Sequence, residues 1–116
     1  MHLTPRENER LTIYTAAELA RRRLRNGVKL NYPEAVAVIC DELLEQARGG
    51  EKRLTDVIAF GSHILTQEDV LEGVEQLMPM IQVEGMFPDG SKLITVHDPI
   101  RFSTRKELEA ENYLTM

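Results

Sequence analysis

Apolar residues recur at helical spacing in the first half of the chain and predict two long helices. The first follows a cap at Thr4 and runs to about Arg25. The second follows a cap at Asn31 and ends at Gly49-Gly50. Their core-facing positions are expected to be Ile13, Ala17, Ala20 and Leu24 on the first helix, and Val36, Ile39, Leu43 and Ala47 on the second.

Two shorter helices are predicted between these and residue 80. One begins at Leu54 and closes around Gly61. The other follows a cap at Thr66 and ends before Pro79, since proline cannot continue a helix. Its apolar face is expected to contain Val70, Leu71, Val74, Leu77 and Met78.

The pattern changes to β structure from Met80 to Ile100, where two runs rich in Val, Ile, Thr and Phe flank a Pro-Asp-Gly turn. We expect a type I turn with a bulge at Gly90 rather than a two-residue loop. That register places Val83 opposite Thr95, and Ile81 opposite His97. Four helices followed by an antiparallel hairpin define an α+β domain.

Both faces of the hairpin carry apolar groups in this register. Ile81, Val83, Phe87 and Leu93 share one side, and Met80, Met86, Ile94 and Val96 share the other. One interpretation is an imperfect pattern with helices over one face; the other is that the second face meets a partner chain. A slip of one residue would exchange the faces, so the pattern does not decide between them.

Candidate subunit contacts follow from apolar residues that the predicted core does not use. Leu11 and Leu19 lie off the core stripe of the first helix, toward its charged side. Met86, Ile94 and Val96 lie on the second face of the hairpin. These five residues are the predicted subunit interface.

The chain divides into a domain over residues 1–100 and a tail over 101–116, where the residues become mostly charged or polar. Ser103 or Thr104 could cap a short helix from about Arg105 to Tyr113. Because so short a helix is marginal alone, we expect either disorder or a helix that docks through Leu108, Tyr113 and Leu114.

Composition narrows the function classes. The chain has 116 residues, a net charge of −5 and one cysteine. The acidic balance argues against a nucleic-acid partner, and no apolar run approaches the ~20 residues that cross a bilayer. The N-terminus lacks an apolar signal segment, so a cytoplasmic location without membrane contact is expected.

Charged clusters are expected to be solvated. Arg21-Arg22-Arg23 with Arg25 suits a helix C-terminus better than an anion site. Asp41, Glu42 and Glu45 fall opposite the apolar stripe of the second helix, as a solvated face does. Cys40, beside that stripe, is expected to be a small core residue.

The sequence indicates no catalytic, cofactor-binding or metal-binding residue. His2, His63 and His97 are separated from one another and lack the spacing of metal ligands. His97 lies beside Asp98, but a hydrogen-bonded histidine at a strand end is more common than a catalytic base. Residue chemistry therefore favours a structural or binding subunit.

An ordered set of motifs over residues 1–100 resembles the small gamma subunit of bacterial urease. They are Leu3-Thr4-Pro5-Arg6-Glu7, Leu30-Asn31-Tyr32-Pro33-Glu34-Ala35-Val36-Ala37, Leu65-Thr66 with Val70 and Gly73-Val74, Ile81-Gln82-Val83-Glu84, and Phe87-Pro88-Asp89-Gly90 through Thr95-Val96-His97-Asp98-Pro99-Ile100. The resemblance implies a cytoplasmic nickel enzyme that hydrolyses urea to ammonia and carbamate. It also implies a trimer of alpha-beta-gamma units, with nickel held by alpha and none by this chain.

Some positions depart from that family. Gly85-Met86 stands where Ala-Thr is usual, Glu75 replaces a common proline, and the tail extends past the usual end of a separate gamma subunit. Gly85 would loosen the strand or mark a bulge. Two alternatives remain open: a binding or regulatory module outside urease, and a small enzyme that uses His97 and Asp98.

Overall fold

The structure is a computed structural model that describes residues 2–111. Three helices come first: α1 (Pro5–Arg25), α2 (Tyr32–Arg48) and α3 (Leu54–Phe60). The strands β1 (Met80–Phe87) and β2 (Gly90–His97) form a two-stranded antiparallel sheet, and the short helix α4 (Arg105–Ala110) follows it. The predicted α+β class is confirmed.

Reciprocal caps start both long helices, as predicted. The N–H of Glu7 donates to Thr4 Oγ1 at 3.2 Å, and that of Thr4 donates to Glu7 Oε1 at 2.8 Å. Asn31 and Glu34 make the same two bonds at 3.0 and 2.9 Å. The N–H of Asn31 holds the pKa of Glu34 below its usual value; partial burial opposes this and Arg23 adds to it.

Helix α2 lies at the centre and contacts α1, α3 and β1. Its core side includes Ile39, Leu43 and Ala47, which are fully buried. Ala17 and Ala20 of α1 are also fully buried, and their small side chains let two helix backbones approach closely. The predicted core stripes are therefore confirmed at these positions.

The hairpin register differs by one residue from the prediction. Val83 lies opposite Ile94, and Ile81 lies opposite Val96, so a two-residue loop joins the strands. The expected bulge at Gly90 is wrong, because Gly90 pairs directly with Phe87. Since side chains alternate along a strand, this slip moves Ile94 and Val96 to the inner face.

In the observed register the two faces of the hairpin separate cleanly. The apolar side chains of the inner face are Ile81, Phe87, Ile94 and Val96, which are buried, and Val83, which is half-buried. The outer face exposes Met80, Gln82, Glu84, Met86 and Leu93. The sheet thus buries one face against the chain's own helices and leaves the other in solvent.

Two glycines allow close contact between the sheet and the helices. A Cβ on Gly85 would lie 2.7 Å from Ile94 Cδ1 and 3.2 Å from Ala47 Cβ. A Cβ on Gly61, at the end of α3, would lie 2.5 Å from Val96 Cγ2. Pairing continues unbroken through Gly85, so that residue serves packing and marks no bulge.

The fourth helix predicted before the hairpin is replaced by two single 3₁₀ turns, Gln67–Asp69 and Glu75–Leu77. Tertiary hydrogen bonds explain the difference. The N–H of Leu30 donates to Asp69 O, and the N–H of Leu71 donates to Leu30 O, each at 2.9 Å. These bonds form an isolated parallel bridge between Leu30 and Val70, which a continuous α-helix could not make.

The tail forms a short helix over its described part. Thr104 caps α4 by accepting from the N–H of Glu107 at 3.1 Å, and Leu108 is buried. Tyr113 and Leu114, the other two predicted docking residues, lie outside the described residues.

Candidate subunit interface

The outer face of α1 carries the first group of exposed apolar side chains. Leu11 and Leu19 are 50% and 47% exposed, and they lie at positions i and i+8 of one stripe with Thr15 between them. This stripe faces away from Ala17 and Ala20, which point into the core. Leu11 and Leu19 are therefore open to contact by another chain.

The hairpin carries the second group, with different members from those predicted. Met86 is exposed as expected, but Ile94 and Val96 are completely buried. They present no surface to a partner, so their predicted place on an open face is corrected. Leu93, which the predicted register put with the core residues, is 56% exposed instead.

Sequence reasoning also missed Leu71 and Leu77, which are exposed between the helices and the hairpin. Helical periodicity assigned them to the buried face of a fourth helix. A glycine between the two leucines, Gly73, was a sequence signal against a continuous helix, and in the structure its φ of +89° interrupts the helical backbone there.

A groove of about 730 Å³ runs between the first half of α1, the end of α2 and β1. Its apolar lining includes Ile13, Val83 and Met86, and its charged lining is mixed in sign. Arg6 and Glu84 form an ion pair that links α1 to β1 beside it. Three arginines and four glutamates line the groove, so neither sign of charge dominates it.

Asp41 is buried rather than solvated, which corrects the sequence-based expectation. Its Oδ1 accepts from Arg10 Nη1 at 2.7 Å, and its Oδ2 accepts from Arg21 Nη2 at 2.5 Å. Arg21 also donates to Glu42 at 2.5 Å. Although burial acts to lower the pKa of Arg21, its hydrogen bonds to Asp41 and Glu42 raise that pKa overall.

Two arginines of the basic cluster on α1 also form ion pairs within the chain. Arg21 bridges to α2, and Arg23 pairs with Glu34 at the start of α2. Two of its four arginines thus hold helix α1 against helix α2, which argues against a dedicated anion site.

The residues considered as candidates for catalysis or metal binding do not lie together in one site. His63 Nδ1 lies 3.1 Å from both Ser62 Oγ and the carbonyl of Ala59, whereas His97 is exposed at the end of β2. Burial, with a contribution from Asp41, raises the pKa of the Cys40 thiol to about 11. Among residues 2–111, no group of three or more His, Cys, Asp or Glu could hold a metal ion.

No helix within the described range is long and apolar enough to span a bilayer. The described residues form a small α+β chain with a closed core, and half-exposed leucines lie on two of its surfaces. Comparison with known proteins specifies the family. The sequence model of "Urease, gamma subunit" matches residues 1–100, and the chain belongs to that family.

Individual relatives agree with this assignment. The chain is 57% identical to urease subunit gamma of Natronomonas pharaonis over 109 residues, which cover 94% of this chain and 99% of the relative. It is 59% identical to urease subunit gamma/beta of Pseudomonas syringae pv. syringae over 101 residues, 87% of this chain but only 43% of that relative. The chain is thus a subunit of urease, a hydrolase of urea catabolism.

Proposed function

We propose that this chain is a structural, non-catalytic subunit that joins alpha and beta chains in a cytoplasmic trimer of alpha-beta-gamma units. The observation that carries this proposal is the outer face of α1, where Leu11 and Leu19 are half-exposed on a helix whose other side is closed. Covering both would contribute about 1 kcal/mol for each side chain, which a lone chain leaves unused.

Nickel, in this proposal, belongs to the alpha subunit. The histidines His63 and His97 lie on different elements, and the described residues offer no convergent donor set. Residues 2–111 therefore do not fit a nickel site, and we assign none of them a step in urea hydrolysis.

Co-expression with alpha and beta chains tests the proposal. Native mass spectrometry should find this chain in a complex with both, and the purified chain alone should neither hydrolyse urea nor bind stoichiometric nickel. Recovery of this chain alone from the co-expression, or nickel-dependent turnover by the single chain, would contradict the proposal.

A pair of variants tests the surface itself. Leu11→Asp with Leu19→Asp should reduce the fraction of this chain in the complex at least tenfold, while its circular dichroism stays unchanged because both side chains are already exposed. Leu11→Met with Leu19→Met is the matched control, since it keeps the surface apolar and should assemble normally. Full assembly of the aspartate pair would exclude this face as the contact.

A further inference from the structure

The segment after Ile100 folds back onto its own domain. Arg101 turns the chain, because its guanidinium donates to the carbonyls of Asp98 at 2.9 Å and His97 at 2.8 Å. Asp98 has a φ of 47°, a left-handed conformation that reverses the backbone at this point. Residues 101–110, which we call the C-terminal latch, therefore return toward residues 64–69.

Backbone hydrogen bonds join the latch to the first 3₁₀ turn. The N–H of Gln67 donates to Phe102 O at 2.8 Å, and that of Glu68 donates to Ser103 O at 3.1 Å. The first N–H groups of a helical turn have no acceptor within that turn. The latch supplies these acceptors from a part of the chain more than thirty positions away.

A polar cluster around Asp69 holds the latch at its centre. Arg105 Nη2 donates to Asp69 Oδ2 at 2.7 Å and to Ile64 O at 3.1 Å. The same Asp69 oxygen accepts from the N–H and the hydroxyl of Thr66, at 2.8 and 2.9 Å. One carboxylate thus ties the latch to a fully buried threonine.

Apolar contacts complete the closure. Leu108 of α4 is buried, and the Phe102 ring lies 5.3 Å from the ring of His63. The backbone of Asp69 also contacts Leu30, because the N–H of Leu30 donates to Asp69 O. The latch is therefore connected to the loop between α1 and α2.

We propose that the C-terminal latch is a conformational device that keeps residues 64–71 in their turn conformation, and that the ion pair between Arg105 and Asp69 closes it. The latch lies outside residues 1–100, the range that the family model matches. The alignment with the Natronomonas relative spans 109 residues, so it reaches at least nine residues into the segment after Ile100. The Arg105 side chain is partly exposed, so high salt weakens the closure.

Amide hydrogen exchange of the purified full chain, followed by NMR, tests the latch. In Arg105→Ala the amides of Gln67 and Glu68 should exchange roughly tenfold faster, because a charge-assisted hydrogen bond no longer holds their acceptors in place. The amide of Leu43 in α2 reports global unfolding and should not change. Lys106→Ala is the matched control: it removes the same charge from an exposed position of α4 and should leave all three amides unchanged.

One further measurement makes the test decisive. Sodium chloride at 1 M should speed exchange at the amides of Gln67 and Glu68 in the parent chain but not in Arg105→Ala. Unchanged exchange at both amides in Arg105→Ala would overturn the proposal, as would an equal acceleration at Leu43. Because the test uses the chain alone, its outcome is independent of whether this chain assembles with urease partners.

Discussion

The substitution Asp41→Asn tests whether a buried ionic cluster holds α1 against α2. Asp41 is 3% exposed and accepts one hydrogen bond from Arg10 and one from Arg21. Asparagine keeps the size of the side chain but removes its charge, and it replaces one acceptor oxygen with an NH₂ group that faces a guanidinium. The change therefore breaks the cluster without creating a cavity.

The expected loss of folding stability in Asp41→Asn follows from the hydrogen bonds that Asp41 makes. A hydrogen bond between charged groups contributes about 1.5–3 kcal/mol, and two such bonds are affected. Asparagine retains one acceptor, and Arg10 and Arg21 keep Glu45 and Glu42 as partners. We expect the free energy of unfolding to fall by about 2–3 kcal/mol, which corresponds to roughly 8–15 °C in Tm for a chain of this size.

Urea denaturation of the purified chain, followed by helical circular dichroism, measures this cost. Glu42→Gln is the matched control because Glu42 bonds the same arginine from a more exposed position, 34% against 4% for the side chain of Asp41. It should cost about 1 kcal/mol or less. A double-mutant cycle of Asp41→Asn with Arg10→Leu should give a coupling energy above about 1 kcal/mol.

Two results would refute this reasoning. If Asp41→Asn and Glu42→Gln cost the same, burial does not strengthen the bonds of Asp41. If Asp41→Asn leaves the stability of the single chain unchanged but prevents assembly, the carboxylate serves a partner chain rather than the contact between α1 and α2.

Two further predictions concern packing and pH. Gly61→Ala should lower the free energy of unfolding by about 1–3 kcal/mol, because the added Cβ meets the branched and rigid side chain of Val96. Gly49→Ala is the control, since a Cβ there makes only ordinary contacts. Equal stability of the two variants would contradict the predicted clash. The pKa of Glu34 is lowered in the folded chain. The ionised side chain therefore contributes to folding stability in full above the ordinary pKa of 4.5, and this contribution is lost as pH falls through the pKa of the folded chain. Glu34→Gln should therefore make the loss of stability between roughly pH 5 and pH 3 shallower, and an unchanged slope in acid denaturation would count against this role.

Local features of the fold were predictable because their causes lie within a few residues. The cap at Asn31 needs only Glu34 three positions later, and the end of α1 needs only Asn26-Gly27. Leu11 and Leu19 were found as exposed residues for the same reason, since their place on α1 follows from helical spacing alone.

Features that depend on distant residues were missed. The 3₁₀ turn at Gln67 exists because Phe102 and Leu30 lie beside it, and no pattern within residues 66–78 contains that information. Asp41 looked solvated because periodicity describes one helix at a time; its burial comes from two arginines on α1. The predicted and observed hairpin registers differ by one residue because the turn is a two-residue loop rather than a loop with a bulge at Gly90. The composition of the turn does not decide between these two forms.

The corrected register changes where a partner chain is expected to bind. Ile94 and Val96 close the inner face of the hairpin, so an aspartate at Ile94 would unfold the chain rather than weaken an interface. The outer face keeps Met86 and Leu93, which are diagonal neighbours in the observed register, but Glu84 and Ser91 lie beside them on that face. We infer that α1 supplies the principal apolar contact and that the hairpin adds to it through Met86, which lines the groove beside α1. On this account Met86→Asp costs less assembly than the paired change at Leu11 and Leu19, and the reverse order would place the principal contact on the sheet.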